Sequence, residues 1–386
     1  MKSQLKSKAK ASSGRAPGKA AKPEARLSSM LDAIRATPGD EELRLVFADA
    51  LEEVDELDRA ELVRAQIAAT REPKNAAALA RASALQLERD KVLATQASRW
   101  KSDRGMVWHV EARIEDWLAH GRSLFETEPI TSIVVLDSRT GVADEDFDYV
   151  DRVEQLAKQP WLGYVHAIDI QLYSTLGEPE LVVELLGSSH LWRMAQLRVG
   201  DPLTAIAAAK HCAMPGLKAL LVHGEGSSEG DDALRAYARR RDALTHLELV
   251  GCGTSAAGIA TIVDAGWKLE RLTTAGTHYQ VDDIGAAGMR AIAQAPALAS
   301  LRELEIETGG LDDAALRALA ESPHLRSLHT LSLFGNGDVG DEGVAALAAS
   351  PVLASVRVLV LTATAVTARG VALLPGHVEV TAPHLR

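Results

Sequence analysis

Two apolar rhythms alternate along most of this chain. From Leu301 the stretch LRELEIE sets Leu304 and Ile306 between Glu303, Glu305 and Glu307, a period of two that predicts a strand with one apolar face. The following DDAALRALAESP puts Leu316 and Leu319 on one side of a helix, which Pro323 ends. The pair of rhythms returns from Leu328, with Leu331 and Leu333 in a strand and Val344 and Leu347 in a helix closed by Pro351. Earlier copies are looser. With Ile168, Leu197, Leu220, Leu247, Leu272, Leu304, Leu331 and Leu359 as markers, the spacings are 29, 23, 27, 25, 32, 27 and 28 residues. IVVLD at Ile133 reads as a degenerate earlier copy. One strand–helix unit cannot cover its own apolar face, but a stack of units buries a continuous core.

The first hundred residues have a different rhythm. LSSMLDAIRA has apolar residues at 27, 30, 31 and 34, a helical face. Thr37-Pro38-Gly39-Asp40 predicts a turn, with Asp40 capping the next helix. That helix, EELRLVFADALEEV, presents Leu43, Val46, Phe47, Ala50, Leu51 and Val54 on one face. AELVRAQIAA is a third helix, and an Ala-rich helix is expected over 75–100, ending near Trp100. Residues 27–104 thus read as a small all-helical domain, 105–164 as a bridge and cap with a degenerate first repeat, and 165–386 as the repeats. Trp100, Trp108, Trp117 and Trp161 are expected to cluster at the junction, packing the cap onto the first repeat.

The L-x-x-L-x-L strands at this period resemble leucine-rich repeats. The roughly 27-residue length and helical outer wall resemble the ribonuclease-inhibitor-like subclass, over about residues 130–380. The fold class implied is α/β: about eight units in a solenoid, with parallel strands on the concave face and helices on the convex face. The segment LDAIRATPGDEELRLVFADALEE followed by AELVRAQ resembles a bacterial repeat-companion domain found beside such repeats. Arg44, Leu45, Val46, Phe47, Ala48, Asp49, Leu51, Glu52, Glu53, Glu61, Arg64 and Gln66 carry the match; Ala50 replaces the family's usual Trp, and VDELDRA its Gly/Pro turn. That family implies architecture and no chemistry.

Charge divides the chain. Residues 1–26 carry eight Lys or Arg against Glu24, a charge of +7; the whole chain is −11, leaving −18 for the remainder. The tail has almost no large apolar residues, so it is expected to be disordered, either as a solubilising segment or as a weak electrostatic contact for nucleic acid or an acidic protein. Two cysteines, Cys212 and Cys252, exclude a disulfide framework and a four-thiolate zinc site. With no apolar run long enough to span a bilayer and no secretory signal, a cytoplasmic location without membrane contact is expected. Monomer is the default expectation.

GNGDVG, with Gly335, Gly337 and Gly340, matches the dinucleotide fingerprint G-x-G-x-x-G. Equivalent turns read ETGGLDD, GCGTSAAG and GTHYQVDDIG, and the next strand ends in Thr362, Ala363 and Thr364 where a ribose-binding acid would stand. Turn chemistry accounts for the glycines, and no cofactor is expected. No metal site, nucleophile elbow or phosphate loop appears, and DEDFDYVDR at 144–152 lacks the layout of a calcium loop.

The middle outward position of successive strands gives Asp169, Arg198, Leu221, Glu248, Thr273, Glu305, Ser332 and Val360. In RELEIE three glutamates share one side, about 7 Å apart along the strand, an unfavourable row without a reason. The candidate partner-binding residues are therefore Glu248, Arg271, Thr273, Glu303, Glu305, Glu307, Ser332 and Phe334, a concave acidic patch suited to a basic protein. An open sheet offers neither burial nor a shaped pocket to separate carboxyl pKa values, so no catalytic residue and no enzyme activity are expected. A protein-interaction scaffold is the primary expectation; a nucleic-acid-associated adaptor anchored by the tail is the alternative.

Overall fold

A computed structural model describes residues 23–137, 147–172, 179–240, 243–277 and 281–382. The basic tail through Lys22, and residues 144–146 of the acidic 144–152 stretch, lie outside the described residues. The chain forms two compact units that divide between Gln86 and Leu87, inside helix α4. Among the described residues no helix is long and apolar enough to cross a membrane.

The first unit holds α1 (Pro23–Ala36), α2 (Glu41–Glu52), α3 (Leu57–Arg71) and most of α4 (Ala76–Leu93). Asp40 caps α2 by accepting the Leu43 N–H at 2.9 Å. The buried face of α2 is Arg44, Phe47, Ala48, Ala50 and Leu51, whereas Val46 is exposed, so the helix is turned relative to the apolar stripe expected from sequence. Buried Arg44 makes this possible by donating to the Pro38 carbonyl at 2.7 and 3.2 Å. Arg64 of α3 reaches Asp49 at 2.6 Å and also Glu52, which ties α3 to α2 and raises its guanidinium pKa. Four of the charged residues that carry the companion-domain resemblance thus hold helices together.

The second unit is built on one twelve-stranded sheet in chain order. Its strands are β1 (Arg99–Asp103), β2 (Met106–Arg113), β3 (Ser132–Leu136), β4 (Ala167–Gln171), β5 (Gln196–Val199) and β6 (Ala219–His223). They continue as β7 (His246–Val250), β8 (Arg271–Ala275), β9 (Glu303–Glu307), β10 (Thr330–Ser332), β11 (Val358–Val360) and β12 (Glu379–Thr381). Only β1–β2 is antiparallel; every later neighbour is parallel. The connecting helices are α5 (Ile114–Thr127), α6 (Phe147–Ala157), α7 (Pro179–Leu186), α8 (Pro202–His211) and α9 (Gly230–Arg240). They continue as α10 (Ala256–Ala265), α11 (Gly285–Gln294), α12 (Asp313–Ala320), α13 (Asp341–Ala348) and α14 (Ala368–Val371). The eight marker residues share one ladder row, running Ile168, Leu197, Leu220, Leu247, Leu272, Leu304, Leu331 and Leu359, and the row extends to Ile133 and Val110 on one side and to Val380 on the other. Almost all of it is fully buried.

Three features depart from the sequence expectation. The Ala-rich helix stops at Leu93 instead of near Trp100, because the Ser98 N–H leaves for the Glu111 carbonyl at 2.8 Å and the chain pairs as β1. Strands β2 and β12 add parallel repeats at both ends that the leucine markers do not reveal. The four tryptophans do not form one cluster. Trp117 and Trp161 meet at 5.5 Å and Phe125 stacks on Trp161 at 4.9 Å, filling the first repeats. Trp100 instead bonds Asp90 at 2.7 Å, and Trp108 is exposed beside His109.

A recurring latch joins successive helices. Asp313, at the start of α12, accepts the N–H groups of Gly340 and Gly343 at 2.7 and 3.0 Å, which open α13. Asp341 of α13 takes the N–H and hydroxyl of Thr367 ahead of α14, and Asp231 of α9 takes those of Ser255 ahead of α10. Each carboxylate satisfies amide donors that a helix start leaves open. Each also fills the space where the third residue of the next helix would carry a side chain. A Cβ at Gly258, Gly343 or Gly370 would stand 2.1, 2.6 or 2.4 Å from that oxygen.

Candidate functional site

Strands β7 to β10 bring the eight candidate residues onto neighbouring strands and the turn after β10. Arg271 and Glu303 are register partners, as are Thr273 and Glu305. The three glutamates do not face one another unpaired. Glu303 forms an ion pair with Arg271, which raises the guanidinium pKa; Glu305 accepts from Thr273 Oγ1 at 2.9 Å; Glu307 accepts from Ser332 Oγ at 2.8 Å. Cross-strand partners are the reason that a row of like charges can exist there. Thr273 and Ser332 are themselves buried, so they position the carboxylates and offer little surface. Phe334 lies in the turn after β10 with 40 % of its surface exposed.

A second polar cluster, on β4 to β7, includes three residues of the middle row but was not assembled from sequence. Asp169 and Arg198 are register partners, and Arg198 lies 4.0 Å from Asp169 and 3.7 Å from Glu248. His223 Nε2 donates to Glu248 Oε1 at 2.5 Å, and this bond holds the Glu248 carboxyl below the usual range. Burial pushes the Asp169 carboxyl up, although Gln171 donates to it at 2.9 Å. The signal was available: Asp169 and Arg198 are adjacent in the middle row, and His223 is two residues beyond Leu221 on the same face. The cluster borders a cleft of about 320 Å³ at the C-terminal ends of these strands.

On the concave rows from β2 to β12, carboxylates outnumber guanidiniums among the described residues. Glu111, Asp169, Glu248, Glu303, Glu305, Glu307 and Glu379 stand against Arg113, Arg198 and Arg271. No group of three or more His, Cys, Asp or Glu is placed to hold a metal among the described residues. Burial pushes the Cys212 and Cys252 thiols up to about 11 and about 12, away from nucleophile chemistry.

The glycine-rich stretch is a repeat turn. Gly335 has φ +73°, the conformation that needs glycine. Buried Asn336 donates to the Ile306 and Leu333 carbonyls at 2.7 and 3.0 Å and accepts the N–H groups of Gly309 and Leu311 at 2.9 and 3.0 Å. The Gly340 N–H that would face a phosphate is held by Asp313.

A family model described as a leucine-rich repeat matches residues 324–348, the segment that contains this turn. No curated protein matches the chain. Among solved structures, a chain of the yeast Rad7–Elc1 complex is similar in fold, with a TM-score of 0.51 and 11% identity, over 92% of this chain and 80% of that one. An internalin from Listeria monocytogenes aligns over 67% of this chain and 69% of its own at 13% identity, with a TM-score of 0.37 that carries no structural argument. The eleven parallel strands backed by helices give this chain the fold of a leucine-rich repeat solenoid, and one of its repeats, residues 324–348, matches the leucine-rich repeat model.

Proposed function

We propose that the protein is a non-catalytic scaffold that binds a basic protein partner on its concave sheet face, through the patch from Glu248 to Phe334. The observation that carries this reading is the pre-set order of the patch. Glu303, Glu305 and Glu307 are each fixed by a neighbouring strand, and Phe334 stands exposed beside them. A surface fixed before binding loses less side-chain entropy on association. An exposed aromatic is the residue type that anchors interfaces. The carboxylate excess favours a basic partner. A chain of similar fold occurs in the yeast Rad7–Elc1 complex. We further propose a cytoplasmic location.

Capture from a nuclease-treated lysate of the source organism tests the reading. Wild type would be compared with a Glu305→Gln/Phe334→Ala variant and with Glu342→Gln on α13 as a control. A partner retained by wild type and control, and reduced at least tenfold by the concave variant, is the expected result. Equal capture by all three would refute it. A partner captured from untreated lysate but lost on nuclease treatment would instead favour the nucleic-acid adaptor.

A further inference from the structure

The cleft at the ends of β4 to β7 is lined by Asp169, Asp201 and Glu225, with Arg198 and His223 on the same wall. Asp201 uses one oxygen to cap α8, accepting the Thr204 N–H at 2.7 Å, and among the described residues Asp169 accepts a hydrogen bond only from Gln171. A carboxylate has about four acceptor sites, so both retain open ones. Arg198 makes no hydrogen bond among the described residues; its two carboxylate neighbours stay 3.7 and 4.0 Å away. Its five N–H donors are therefore on offer.

Thr204 lines the cleft at 3 % exposure and gives its N–H to Asp201. Gly200, also on the wall, has no atom within 4 Å of where a Cβ would be. The apolar part of the wall is Leu172, Val182, Val199 and Val250. Binding pockets run from roughly 300 to 1,000 Å³, so this one admits a single residue with its adjoining backbone rather than a long segment.

We infer that this cleft receives a basic side chain, arginine or lysine, from a bound peptide, and that Arg198 holds the neighbouring backbone carbonyl. The inference rests on the scaffold reading and names what such a partner inserts. Among the described residues the lining carries three carboxylates against one guanidinium, with Glu248 adding a fourth at the edge. An anion would meet that excess, whereas a cation offsets it. The raised carboxyl of Asp169 indicates a charge that burial leaves incompletely compensated. The methylenes of a basic residue suit the valine-lined wall.

Four capped tripeptides, Ac-Ala-X-Ala-NH2 with X as Arg, Lys, Glu or Ala, would be titrated into the full-length chain and followed by NMR. The Arg and Lys peptides should bind at least tenfold more tightly than the Glu and Ala peptides. Asp169→Asn should weaken them at least tenfold. Gly200→Leu, which adds a side chain into open space, should do the same without altering charge. Glu303→Gln, outside the cleft, should change binding less than twofold. Equal binding of all four peptides, no binding, or equal losses in Glu303→Gln and Asp169→Asn would overturn the assignment. If the peptides fail while the concave variant still loses its protein partner, the cleft assignment falls and the scaffold reading stands.

Discussion

Asp282 is buried at 1 % exposure, accepts the Thr254 N–H at 2.8 Å through one oxygen, and has no partner for the other among the described residues. Burial pushes its carboxyl up to about 6. The folded chain therefore holds this proton more tightly than the unfolded chain does. The contribution to stability is complete below the ordinary carboxyl range, is lost as pH rises through about 6, and is level above that. The loss amounts to up to about 3 kcal/mol. Asp282→Asn keeps an acceptor for Thr254 and has no charge to bury. Urea unfolding should show the wild type losing stability between pH 4 and 7 relative to this variant, which should be about 1–3 kcal/mol more stable at pH 7. Parallel pH profiles would contradict the assignment. At this scale the sequence shows residue types and parity but not partners. It placed Glu303, Glu305 and Glu307 on one side, yet the ion pair and hydroxyls that make the row tolerable come from Arg271, Thr273 and Ser332 on adjacent strands.

Elements were the most legible level, because the two periodicities follow directly from strand and helix geometry. The leucine markers form one ladder row, and Ile133 belongs to it. Failures occurred where tertiary contacts override local pattern. In α2, Arg44 replaces an expected apolar position because the Pro38 carbonyl receives it. The short β12 was hidden because Val380, and no leucine, holds its place in the ladder row. The helix latch was invisible because its partners, such as Asp313 and Gly343, are 30 residues apart. It reverses an ordinary rule. Glycine inside a helix usually costs about 0.5–1 kcal/mol relative to alanine. At Gly343 an added Cβ would stand 2.6 Å from Asp313 Oδ1, so Gly343→Ala should displace the carboxylate and destabilise the protein by about 1–3 kcal/mol. Gly337→Ala, where a Cβ meets nothing within 4 Å, should change little. Denaturant midpoints of the two variants check this, and a stabilised Gly343→Ala would disprove the latch.

Across the repeat unit, the fixed register turns a weak sequence signal into a surface. Parallel pairing without slippage from β2 to β12 carries each outward position into a row, and the rows gather charges that are about 25 residues apart in the chain. The leucine signature disclosed this stack but not which face is used, since binding resides in particular side chains and not in the fold. The cleft beside Arg198 is legible only after β4, β5, β6 and β7 are set side by side. The most direct test of the central claim is carbodiimide footprinting of carboxylates, with and without the captured partner. Protection of Glu303, Glu305 and Glu307, with Glu321 and Glu342 labelled as in the free protein, is the predicted result. Protection of Glu321 and Glu342, with the β9 glutamates unchanged, would place the partner on the helical face and contradict the concave-face account.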